Sequence, residues 1–133
     1  MRYAISYVST AKRSLSETEI RQILNDSENN NNKQNITGLL LYSEGNFFQI
    51  IEGDQKQIVQ LYETIKDDSR HFNVIKLFGK EINKESFDGY KSDFISEDAR
   101  YSSARLQNYE HYLEVLDKPT KNAVAKILKA FIV

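Results

Sequence analysis

Four polar side chains that could do chemistry stand on or beside otherwise apolar segments: Tyr7 in a strand-like run, Asn30 and Asn31 after a helical stretch, and Gln49 inside Phe47-Phe48-Gln49-Ile50-Ile51. A phenol both donates and accepts a hydrogen bond, and a primary amide offers one acceptor and two donors. A glutamine in the middle of a buried strand needs a partner, because an unpaired buried amide costs about 1–3 kcal/mol. The residues alone point first to a polar pair with Tyr7, which needs no ligand. Constellations for catalysis are missing. His71 and His111 have no metal-ligand spacing, and no GxSxG, Walker A or GxGxxG pattern occurs. The segment Thr10 to Ser14 after the first strand lacks the glycines of an acylphosphatase-type anion loop.

The elements that must position these residues follow from periodicity. Residues 2–9 alternate, with Tyr3, Ile5 and Tyr7 on one face of a strand. Ser16 and Glu19 form a capping box ahead of Ile20, Ile23, Leu24 and Ser27, which predicts a helix over 16–30 that stops in the run Asn29 to Asn32. Residues 36–42 and 47–52 read as a β-hairpin around Ser43-Glu44-Gly45-Asn46. Asp54 and Gln57 cap a second helix whose inward stripe is Ile58, Leu61, Tyr62 and Ile65. Strands are expected at 74–78 and 87–95, joined by a loop or hairpin, and helices at 100–116 and 119–131. The expected class is α+β: a ferredoxin-like βαββαββ mixed sheet with two helices on one face and a C-terminal helical pair able to cover the other.

Composition narrows the function classes. The 133 residues suit one globular unit, and the absence of cysteine excludes disulfides, thiolate metal sites, a cysteine nucleophile and a cysteinyl–flavin adduct. Eighteen basic and nineteen acidic residues nearly cancel, which argues against nucleic acid or an anionic membrane as partner. An RNA-binding sheet, distantly suggested by Gly45, Phe47 and Gln49, lacks the basic residue before Gly45. With no signal peptide or transmembrane run, a cytoplasmic setting is expected.

Taken together, Tyr7-Val8-Ser9, Ser27 with Asn30 and Asn31, Asn35 to Tyr42, Phe47 to Gly53, and Asp68-Ser69-Arg70-His71 resemble the signature of BLUF domains, the blue-light sensors using FAD. The similarity runs in order over about residues 2–95, and the C-terminal helices resemble those of the short, stand-alone members. The resemblance implies a flavin-binding unit over 1–97 with a helical cap, 98–133, belonging to the same globular unit. It implies FAD, with FMN or riboflavin as alternatives, held between the two main helices. Asn31 falls at the family's flavin-binding asparagine and Asn30 beside it. Ser27, Ile23, Leu24 and Ile65 would line the ring site, with Arg70 and His71 near the ring and the ribityl–phosphate side.

The resemblance also implies a mechanism without an enzyme. Tyr7 gives an electron to light-excited flavin, a proton moves through Gln49, and recombination leaves the Gln49 amide rotated or tautomerised, with a red-shifted flavin. The signal would pass to a protein partner or through a homo-oligomer. One stretch departs from the family: Phe87-Asp88-Gly89-Tyr90-Lys91-Ser92 puts Tyr90 and Ser92 where relay tryptophan and methionine are expected. Tyr90 is also a second phenol able to compete as electron donor. The competing reading is a light-insensitive ferredoxin-like module for a ligand or protein. Phe131-Ile132-Val133, an apolar terminus, is expected to pack internally or between subunits.

Overall fold

In a computed structural model of the chain, residues 1–84, 89–94 and 116–132 are described, with backbone only at 93, 94, 131 and 132. The elements run β1 (Arg2–Ala11), α1 (Glu17–Lys33), β2 (Thr37–Ser43), β3 (Asn46–Asp54), α2 (Gln55–Lys66), β4 (His71–Glu81), β5 (Tyr90–Phe94) and α3 (Lys118–Ile132). The sheet order is β4-β1-β3-β2-β5, antiparallel except for the β2–β5 pair, giving the expected mixed α+β sheet.

The alternation seen in sequence sorts the sheet into two packed faces. Ile5, Tyr7, Leu40, Phe47 and Ile51 meet Ile20, Leu24, Ile58 and Tyr62 from α1 and α2. On the other face, Ala4, Leu39, Leu41, Phe48 and Ile50 meet Val124 and Leu128 of α3. Asp117 starts α3 by accepting a bond from the Thr120 backbone N–H at 3.1 Å. The predicted helix over 100–116 and the side chains of Phe131 to Val133 lie outside the described residues.

Two boundaries differ from the sequence expectation, and one open choice of connection is narrowed. α1 does not stop at residue 30 but continues through the asparagine run to Lys33, and the left-handed backbone falls on Asn35, at φ 58°. Asparagine's weak helix propensity is overridden because Asn31 is buried on the same face as Ile20 and Leu24. β4 is eleven residues long instead of five, since it pairs along nearly all of β1, with register shifts that absorb its irregularities. Of the loop or hairpin expected between β4 and β5, the hairpin is ruled out: β5, at 90–94, lies at the opposite sheet edge, parallel to β2.

One turn and one strand glycine fix the geometry around the central strands. Glu44 and Gly45 both take positive φ, 46° and 85°, the combination that joins β2 to β3 in a two-residue hairpin. Gly38 on β2, at φ 146°, lets the chain pass against β3: a Cβ there would stand 2.0 Å from the Ile50 carbonyl oxygen. Among the described residues, no helix is long and apolar enough to cross a membrane.

Candidate functional site

Strand register places the two chemistry-bearing residues of the sheet side by side. Tyr7 of β1 and Leu40 of β2 each face Gln49 of β3 directly, so all three side chains project toward α1 and α2. The Tyr7 hydroxyl donates to Gln49 Oε1, and Gln49 Nε2 donates to the hydroxyl of Tyr90. Gln49 is thus a buried amide held at both ends by phenols. Its backbone carbonyl accepts a third bond, from Ser6 Oγ at 2.8 Å.

Between the helices and this row lies a cavity of about 320 Å³, at the small end of ligand sites. Ile23, Ser27, Asn30 and Asn31 of α1 and its C-cap Gln34 line one side, and Leu61, Thr64 and Ile65 of α2 another. Tyr7, Leu40, Phe47 and Gln49 form its floor, with Asp68, Arg70 and His71 at its rim. Residues 23, 27, 30, 31 and 34 recur at three- and four-residue steps, so they share one stripe of the helix. The stripe changes from apolar to amide chemistry as α1 runs toward its C-terminus.

The expected site residues divide accordingly. Tyr7, Gln49, Asn31, Asn30, Ser27, Ile23, Ile65, Arg70 and His71 come together around the cavity. Leu24 does not reach it; one step round the helix from Ile23, it is buried among Ile20, Ile58 and the sheet. Tyr90 and Ser92 are not lining residues either. Tyr90 is fully buried behind Gln49, and Ser92 is held on α1, its backbone N–H and hydroxyl both donating to Glu28 Oε2 at 3.1 and 2.7 Å. Leu40, Phe47, Gln34, Leu61, Thr64 and Asp68 were not among the expected site residues. Helical spacing from Ser27 finds Gln34 once α1 is extended past residue 30, and spacing from Leu61 finds Thr64.

Electrostatics keep both phenols neutral. Burial pushes the Tyr7 hydroxyl well above the usual tyrosine range, helped by Tyr90, Tyr62 and Asp68. Burial also raises Tyr90, opposed by hydrogen bonds from Gln49 and Asn31. At the rim, Asp68 accepts from Arg70 Nε at 3.0 and 3.1 Å and from Nη2 at 2.6 Å. These bonds hold the Asp68 carboxyl below its usual range. A guanidinium has five N–H donors, so this fork can hold Asp68 and still offer donors to an anion. His71 Nε2 lies 2.6 Å from the Ile65 carbonyl, which can only accept, so this nitrogen carries the proton; in the neutral ring Nδ1 then accepts from Ser9 Oγ at 2.7 Å.

The arrangement fits a flat heteroaromatic ring with alternating acceptors and a donor at one edge. Ile23, Leu40, Phe47, Leu61 and Ile65 supply apolar walls, while Asn30, Asn31 and Gln49 bring three primary amides to the same cavity. Among the described residues, no group of three or more metal-ligating side chains is gathered.

Comparison with known proteins bears on the family and the fold. Over 83 residues the chain is 32% identical to photoactivated adenylate cyclase subunit beta of Euglena longa, an alignment covering 62% of this chain and 10% of that protein. Over 59 residues it is 32% identical to the blue light- and temperature-regulated antirepressor BluF of Escherichia coli (strain K12), covering 44% and 15%. The chain therefore spans a small part of the curated relatives it matches. The solved BLUF domain of BlrP1 superposes with a TM-score of 0.77 at 21% identity, covering 100% of this chain and 90% of that one, which supports the fold. The family model for sensors of blue light using FAD matches residues 3–93, and the chain belongs to this BLUF family.

Proposed function

We propose that this chain is a non-enzymatic blue-light photoreceptor in which Tyr7 and Gln49 form the photoactive pair and residues of α1, α2 and the β4 rim hold FAD. The observation that carries this reading is the Tyr7–Gln49 hydrogen bond on the floor of a cavity lined by amides. FAD, when bound, supplies the blue-light absorption and the electron acceptor. Asn31, buried on the inner face of α1, presents a primary amide suited to the ring's carbonyl and N–H edge, with Asn30 beside it. Ile23 and Ile65 give apolar contact from opposite helices. Arg70, steadied by Asp68, suits the anionic side of the cofactor, and His71 ties that rim to α2 and β1.

Tyr7 is suited to give up an electron together with its proton and to recover both, leaving no net redox change. Its neutral state at physiological pH makes the proton available, and the Gln49 oxygen already accepts its hydrogen bond. Gln49 can exchange its amide O and N positions within nearly the same volume, so a switch needs only two hydrogen-bond arrangements close in free energy. Residues 98–133 would act as a cap on the same unit, a role supported by Val124 and Leu128 packing on the sheet. The output would be a protein partner or an oligomer of this chain. Tyr90 and Ser92, at the positions of the expected tryptophan and methionine, favour one rival, a light-insensitive ferredoxin-like module for a ligand or protein. Absorbance of the purified protein with FAD, before and after blue light, decides between them. A reversible red shift is expected; a protein that takes up neither FAD nor FMN, or takes it up without a shift, refutes the proposal.

A further inference from the structure

The buried Tyr90 hydroxyl stands beside two amides that the proposed mechanism treats separately. It accepts from Gln49 Nε2, and the Asn31 side chain, the amide assigned to the cofactor, is near enough to oppose the rise that burial gives the phenol's pKa. Its peptide is held by one side chain of α1: the Tyr90 backbone N–H donates to Asn32 Oδ1 at 2.9 Å, and Asn32 Nδ2 donates to the Tyr90 carbonyl at 3.0 Å. Those two bonds imitate a neighbouring strand and fix where the phenol stands, as does the parallel pairing of Tyr90 with Gly38. The ring is fully buried, so the hydroxyl has no access to water as an alternative partner.

We infer that Tyr90 is a positioning residue for the Gln49 amide, holding the end opposite Tyr7 in both orientations that the amide can take. The chemistry lies in the phenol. An indole N–H only donates and so can face only the amide oxygen, whereas a hydroxyl can accept from Nε2 and, after the amide turns, donate to Oε1. Tyr7 does the same at the other end. With Oε1 toward Tyr7, Tyr7 donates and Tyr90 accepts; with the amide reversed, Tyr90 donates and Tyr7 accepts. Each arrangement keeps both amide ends paired, which brings the two closer in free energy. Turning the amide breaks a bond at each end, so Tyr90 also adds to the barrier between them.

The inference rests on the photoreceptor reading for its kinetic consequence but not for its geometric one, so the test has two arms. In the first, ¹⁵N-labelled full-length protein, with and without FAD and kept dark, is compared with Tyr90→Phe. Gln49 side-chain N–H signals in the parent that are shifted from those of a free amide and slow to exchange, and that move and exchange faster in the variant, support the role. Parent signals like those of an exposed amide overturn it, even if the variant fails to fold. In the second arm, recovery after blue light is timed in the parent, in Tyr90→Phe and in Asn32→Ala, a change at an exposed position that keeps both tyrosines but removes the two bonds holding the Tyr90 peptide. Tyr90→Phe is expected to speed recovery about three- to tenfold, the factor that one hydrogen bond of ordinary net strength represents. Asn32→Ala is expected to act in the same direction and less. Recovery within twofold of the parent in both variants overturns the inference. A parent without any light-induced shift refutes the photoreceptor reading, while the amide signals still decide the role of Tyr90.

Discussion

A double-mutant cycle between Tyr7 and Gln49 measures how much of the site's order resides in its central hydrogen bond. Tyr7→Phe removes the donor and leaves Gln49 Oε1 buried without its partner. Gln49→Leu leaves the Tyr7 hydroxyl unpaired in an equally buried place. A buried polar group left unsatisfied costs about 1–3 kcal/mol, so each single variant should lose roughly that much stability. In the double variant both members of the pair are gone, and most of that cost disappears. The singles together predict a loss of about 2–6 kcal/mol, and the double variant is expected to be more stable than that sum by most of it, well beyond the ~0.5 kcal/mol scatter of independent sites. Urea unfolding followed by far-UV circular dichroism supplies the four free energies, with unchanged slopes checking two-state behaviour. Additivity within about 0.5 kcal/mol would refute the claim that the pair is a mutually satisfied buried unit. The same four proteins, loaded with FAD, should divide sharply in light: the parent shifts red, and all three variants bind the cofactor without shifting.

Other expectations follow from single contacts. Gly38→Ala should destabilise by about 3 kcal/mol or more or prevent folding, because its Cβ would overlap the Ile50 carbonyl; expression and melting temperature report it. The Asp68 carboxyl is lowered from 3.8 by Arg70, so its contribution is complete above that value and fades as pH falls. For so exposed a pair it is worth less than about 1 kcal/mol, and Asp68→Asn should flatten this acid limb in unfolding measured at pH 3 and 6 while weakening FAD binding a few-fold. At the alkaline end, the unfolded chain ionises tyrosines near pH 10 while Tyr7 and Tyr90 stay protonated when folded, so stability falls above that pH. Ultraviolet titration should show a group of tyrosines that ionise only with unfolding.

The fold was legible wherever a local pattern had a single physical solution. The Ser16–Glu19 capping box, the Glu44-Gly45 turn and the alternation of β1 each depend on neighbours in sequence, and each stands where the pattern places it. The end of α1 was not legible, because asparagines read locally as a helix stop, whereas Asn31 is buried on the inner face of a helix that runs on to Lys33. That error hid Gln34, one turn beyond the predicted end. Leu24 misled in the opposite sense: spacing assigns it to the inward face but cannot say whether that face meets a cavity or the core.

By itself, the sequence determined the two-faced sheet, the class of side chain on each face, and a buried glutamine that had to find a partner. It also determined that no cysteine, tryptophan or internal methionine could enter the site. The tertiary structure decided which partner. Register alone could pair Gln49 with Tyr7, but β5 had to cross to the far edge beside β2 before Tyr90 could meet the other end of the amide. A strand's edge choice depends on contacts distant in sequence, here Gly38 with β3 and Asn32 and Glu28 with β5, and no local periodicity encodes them. Thus the residue that looked in sequence like a lost tryptophan stands in the fold as the second phenol of a buried Tyr7–Gln49–Tyr90 chain.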